Sequence, residues 1–126
     1  MSVEKLTNEQ EKLMYEQDEK LIKHYDNVAD KYDLKSVWTI TCVPNMYNTH
    51  PYRNLKFLRY DTDFFDENGK HTEFQPGYIT IPIMGKKWLD IFIAADEAIQ
   101  GSGDLHHIFI ETITVNGDTA YIRTGS

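Results

Sequence analysis

The chain has 126 residues, 40% of them hydrophobic and 26% charged, a balance that excludes a disordered chain and fits one globular domain. Lys and Arg number 13 and Asp and Glu number 20, leaving a formal charge of −7 that argues against nonspecific binding to DNA, RNA or anionic membrane. The single cysteine, Cys42, excludes an internal disulfide and a multi-cysteine zinc site.

No apolar run approaches the roughly 18 residues of a membrane span. The acidic, polar start lacks the pattern of a signal peptide. A soluble, cytoplasmic protein is therefore expected, organised as one domain over residues 1–126 with a helix at about 7–32 and an α+β body at about 36–126.

Thr7 followed by Gln10 fits a capping box, which satisfies free N–H groups at a helix start. Met14, Leu21, Tyr25, Val28 and Tyr32 then keep one apolar stripe, with Glu11, Lys12, Glu19, Lys20, Lys23 and Asp30 opposite. One long amphipathic helix follows. It either lies on a sheet or forms a helix–helix seam in an oligomer.

The remainder has β chemistry. Ser36 to Val43 is rich in β-branched and aromatic residues, and Pro44 ends the run. Residues 44–54 carry the prolines and asparagines of a loop. Leu55 to Phe65 alternates apolar and polar positions and reads as a second strand. Asn68-Gly69 signals a turn. His71 to Phe74 reads as the returning strand, Pro76-Gly77 as a break, and Tyr78 to Met84 as an edge or bulged strand carrying Pro82. Trp88, Phe92, Ala95 and Ile99 recur at helical spacing, and Gly101-Ser102-Gly103 stops that helix. Asn116-Gly117, between His106–Val115 and Thr119–Thr124, is the strongest hairpin signal. The order predicts an α+β fold: a long N-terminal helix, a mainly antiparallel sheet, a second amphipathic helix and a C-terminal β-hairpin.

With Asn116-Gly117 as the two loop residues, Val115 faces Asp118, Ile113 faces Ala120 and Glu111 faces Ile122. One face then holds His107, Phe109, Glu111, Ile113, Val115, Ala120 and Ile122, and it is the expected core. A carboxylate there must be paired, hydrogen-bonded or protonated, and such groups are enriched at functional sites. A single metal ion held by His107 and Glu111 is excluded on a strand, where four residues span about 13 Å. Glu111 is thus either a satisfied inner carboxylate or a functional group completed from elsewhere. His106 and His107 follow a Gly-Ser-Gly-Asp turn that either holds an anion or caps a helix, and Asp104 would repel phosphate.

Tyr47, His50, Tyr52 and Arg53 concentrate groups favoured at recognition surfaces. Equally, their loop packs its aromatics back onto the sheet. Cys42 reads as a buried, inert thiol. No GxSxG, HExxH or EF-hand pattern occurs, so no metal and no cofactor is expected.

The tail GDLHHIFIETITVNGDTAYIRTGS resembles the C-termini of small, uncharacterised accessory proteins of tailed bacteriophages, over residues 88–126 at most. The resemblance implies a factor that binds a host protein or sequesters a defence signal in the host cytoplasm, and it carries no catalytic residues. The leading expectation is a small acidic, non-enzymatic binding protein, homo-oligomeric. Its partner is a host protein or a small-molecule ligand, with no direct nucleic acid and no membrane. Its expected binding residues are Tyr47, His50, Tyr52, Arg53, Asp104, His106, His107 and Glu111. The alternative is a small hydrolase-like enzyme using Glu111 with His106 or His107; a third reading is a structural virion component.

Overall fold

The computed structural model describes residues 8–65, 71–103 and 106–125. Seven elements run in the order α1 (Asn8–Tyr32), β1 (Val37–Trp38), β2 (Phe57–Phe65), β3 (His71–Pro82), α2 (Trp88–Ser102), β4 (Phe109–Asn116) and β5 (Thr119–Gly125). The fold is α+β, as the sequence implies. The Thr7 end of the capping box, the Asn68-Gly69 turn and Asp104 lie outside the described residues.

Along the α1 stripe Tyr25 and Val28 are buried and Leu21 packs against the core, while Tyr32 at the helix end is 39% exposed. The helix ends in a Schellman turn: Leu34 N–H donates to Ala29 O at 2.8 Å and Asp33 N–H to Asp30 O at 3.4 Å. Asp33 takes the left-handed position with φ 55°, one of the few non-glycine residue types that tolerate it.

The five strands form one sheet in the order β1-β4-β5-β2-β3. The expectation of a mainly antiparallel sheet is corrected here. The β2/β3 and β4/β5 pairs are antiparallel, but β1/β4 and β2/β5 are parallel. The two hairpins are joined through α2, which crosses the sheet and brings β5 beside β2. Two other boundaries differ. Pro76-Gly77 lies within continuous β3 pairing, which Pro76 and Pro82 tolerate because β3 is an edge strand. Of Ser36–Val43 only Val37–Trp38 is strand. The rest turns away, so Cys42 is exposed rather than buried.

Helix α2 is the core element. Ile91, Phe92, Ala95, Ala98 and Ile99 have no exposed surface; burying each large apolar side chain contributes about 1.5–3 kcal/mol. Its first turn is fixed by Asp90, whose Oδ2 accepts the Lys87 N–H at 2.9 Å. That carboxylate occupies space beside Gly85 where a Cβ would come within 2.3 Å of Oδ2. Gly103 closes the helix at φ 75°, a conformation glycine adopts without strain.

The C-terminal hairpin corrects the expected register. Asn116 pairs with Thr119, so Gly117 and Asp118 are the loop, with Gly117 at φ 64°. Near the turn the inward face is as expected: Ile113 faces Ile122 and Val115 faces Ala120. Farther along, the register shifts between Ile110 and Thr112, leaving Glu111 as an extra residue. The bulge reverses the alternation. Ile110 is fully buried, Phe109 is 39% exposed, and His107 and Glu111 are exposed. The expected inward carboxylate therefore faces water. The sequence carried the reason: apolar residues fall at 108 and 110, then at 113 and 115, and only an inserted residue turns both pairs toward one core.

Candidate functional site

The last turns of α1 bring Tyr25, Asp26, Ala29 and Asp30 to one side, since positions three and four apart are neighbours on a helix. The Schellman turn folds the chain back, and residues 34–36 run alongside that side into β1. Asp96 on α2 fixes the crossing. Its Oδ1 accepts the Lys35 N–H at 2.9 Å and the Ser36 N–H at 2.8 Å. Trp38 follows, buried against Phe92 of α2 with ring centroids 5.5 Å apart. Between α1, the start of β1 and α2 lies a hollow of about 320 Å³, at the small end of ligand pockets.

The walls of the hollow are polar and apolar by turns. Tyr25, Trp38 and Phe92 supply rings, and Asp26, Asp30 and Ser36 supply polar groups. Ser36 is 2% exposed, yet its Oγ has no hydrogen-bond partner in the protein. An unpaired buried hydroxyl is costly. The Tyr25 hydroxyl is engaged with the carbonyls of Ile40 (3.0 Å) and Val43. Burial, with a contribution from Cys42, pushes its pKa up to about 12, so it stays a donor at neutral pH. Lys35 Nζ, also at the hollow, is held 2.9 Å from Asp33 Oδ1. That hydrogen bond and charge raise its pKa. Both side chains are well exposed, so the pair adds little stability.

Of the residues expected to bind, the structure brings His50 and Tyr52 into contact. His50 and Tyr52 stack at 5.7 Å and both ring systems meet Trp88, forming an inner knot in which His50 is 6% exposed. His50 Nδ1 accepts the Tyr52 N–H at 3.2 Å. Its Nε2 has no hydrogen-bond partner, its interaction with the Gly85 backbone falling short of that geometry. Burial lowers the His50 pKa, and Asp90 and the Gly85 backbone oppose that shift. Tyr47 is 38% exposed and lies edge-on to His24 at 6.1 Å, with Lys31 Nζ 5.8 Å from its ring. Arg53 is exposed. His106 and His107 are exposed ahead of β4. The Glu111 carboxylate lies over Gly125, where an added Cβ would stand 1.9 Å from its Oε1. Among the described residues no group of three His, Cys, Asp or Glu stands ready to hold a metal ion, and no helix is long and apolar enough to cross a membrane.

Asp26, Ser36 and Asp96 were not expected at a site. Asp96 had a readable signal, since it falls four residues after Phe92 and three before Ile99, on the apolar side of α2. A carboxylate there needs partners, and the backbone of 35–36 supplies them. Ser36 had none, because its burial depends on α2, which lies more than fifty residues away in sequence.

A second feature is the sheet face opposite α2. There Arg59 sits 3.9 Å from the centroid of Tyr78 and 5.8 Å from that of Tyr121, and it pairs with Asp61 at 2.9 Å. Tyr78 is 58% exposed and Phe57 38%. Comparison with family models, with curated proteins and with solved structures returned no match.

Proposed function

We propose that this chain is a small, non-catalytic binding protein that holds a small-molecule ligand in the hollow between α1, β1 and α2. The observation that supports this reading is the hollow of about 320 Å³ itself, rimmed by the exposed Asp26, Asp30 and Lys35 with the half-buried Ala29, Leu34 and Val37. The hydrolase-like alternative leaned on an inward Glu111, and that carboxylate is exposed. The likeness of the C-terminal third to small proteins of tailed bacteriophages accords with a sequestering role in a host cytoplasm. NMR titration with a library of small polar molecules tests the reading. Binders should shift the Asp30, Ser36 and Trp38 amides, and Ala29→Phe, which fills the hollow, should abolish those shifts. If no library member moves these amides, the reading fails.

A second reading concerns the open sheet face, and its occupant is a second copy of the chain. Among the described side chains that face carries the Arg59–Asp61 pair with Tyr78 and Phe57 exposed beside it, and Tyr, Phe and Arg are the residues that interfaces favour. Sedimentation analysis should show a dimer that Tyr78→Glu with Tyr121→Glu converts to monomer. A wild-type monomer at high micromolar concentration would overturn it, and so would a double variant that still dimerises.

A further inference from the structure

We propose that the patch formed by residues 49–56 and 83–87 docks an acidic segment of a partner protein. It is separate from the hollow and stands whether or not the hollow holds a ligand.

Two stretches of chain lie side by side there. The β2/β3 ladder ends at the Phe57–Pro82 pair. Just beyond it Lys56 O accepts the Ile83 N–H at 2.8 Å, and Lys86 O accepts the His50 N–H at 2.9 Å. Thr49 and Lys87 add an isolated antiparallel bridge. These contacts gather Arg53, Lys56, Lys86 and Lys87 from two parts of the sequence. All four are exposed, and none makes an ion pair among the described residues. Two carboxylates stand nearby, each with a donor of its own. Asp90 Oδ2 accepts the Lys87 N–H at 2.9 Å. Asp118, whose carbonyl accepts the Lys56 N–H at 2.8 Å, takes the Thr119 hydroxyl on Oδ1 at 2.8 Å. The patch is thus cationic on a chain of charge −7, and neighbouring charges of one sign repel until an anionic partner meets them.

The patch also has an apolar member. Met84 is 86% exposed, more than any other large hydrophobic residue described, and a thioether side chain adapts to many apolar shapes. Cations around such a side chain suit a segment whose carboxylates flank an apolar residue. Nucleic acid is disfavoured, because a long polyanion runs past the patch and meets the acidic remainder of the chain. Three of the four cations are lysines, point charges without the planar fork that grips phosphate in a bidentate manner.

Three fluorescent probes test the assignment on the full chain. Two are peptides of equal length with one central leucine, flanked by glutamates in the first and by glutamines in the second; the third is a single-stranded oligothymidylate of matching length. Affinity is read by anisotropy and location by NMR at the Lys56, Met84 and Lys86 amides. The glutamate peptide should shift those amides and bind at least tenfold more tightly than the glutamine peptide. Its affinity should fall several-fold between 50 and 300 mM NaCl, since exposed charges are screened. Lys56→Glu with Lys86→Glu should abolish binding. Lys20→Glu with Lys23→Glu, the same charge change at exposed positions of α1, should leave it within twofold, and Met84→Ser should weaken it several-fold. Melting temperatures of all these variants should stay at the wild-type value, which separates lost binding from lost folding. If the glutamine peptide matches the glutamate peptide, or the α1 variant loses as much as the patch variant, the acidic-partner assignment is wrong. If the oligothymidylate binds the patch more tightly than the glutamate peptide, the surface serves nucleic acid instead. If no probe moves those amides, the patch is not a docking surface.

Discussion

Ser36 and Asp96 meet at one chain crossing and pull stability in opposite directions. Asp96 satisfies two backbone N–H groups, that of Ser36 buried and that of Lys35 partly so; Asp96→Ala strands them and should cost about 1–3 kcal/mol in urea unfolding. The Ser36 hydroxyl satisfies nothing. Removing it while keeping its volume nearly filled should stabilise the free protein, so Ser36→Ala is expected to gain up to about 1 kcal/mol in the same measurement. His50 sets a pH response. Burial lowers its folded-state pKa, so as pH falls the unfolded chain takes up the proton first. Its contribution is complete above the unfolded value near 6.5 and declines as pH drops below it, by at most about 1.4 kcal/mol per pH unit. Melting temperatures at pH 7.5 and 5.0 should show that fall in the wild type and a smaller one in His50→Asn.

Secondary structure follows from local pattern wherever one face is continuously apolar. α2 was legible for that reason: its spacing of apolar residues and its closing Gly103 are both local, and the structure runs it over Trp88–Ser102. The same holds for β2 and for the turn end of the C-terminal hairpin. What local pattern could not supply was pairing across the chain. The parallel contacts β1/β4 and β2/β5 join segments dozens of residues apart, and turn signals describe only neighbours. The site was less legible still, because its walls come from α1, the β1 approach and α2. Glu111 illustrates the limit. Its position was read from strict alternation, and one inserted residue reversed it. Glu111→Ala at this exposed position should change stability by no more than about 0.5 kcal/mol. Deleting Glu111 removes the phase correction and turns Ile110 outward. Because burying a side chain of that size contributes about 1.5–3 kcal/mol, the deletion should lower the melting temperature far more than the alanine change.

At the scale of the molecule, charge and coverage are unevenly distributed. α2 covers one side of the sheet, and the opposite side carries a stacked arginine between two tyrosines. Two chains of −7 each repel at a distance, and added salt screens that repulsion over a Debye length near 10 Å at 0.1 M. Association through this face should therefore strengthen between 20 and 300 mM NaCl, as read by the sedimentation-derived dimer fraction. The rims of the sheet behave differently. One is β1, which pairs with β4 only at Phe109 and Ile110 and leaves the rest of β4 without a strand neighbour on that side. The other, β3, is twelve residues long but interrupts its row of amide donors at Pro76 and Pro82. The β3 border is therefore a poor template for adding a foreign strand, and lateral growth of the sheet would start along the uncovered stretch of β4 instead.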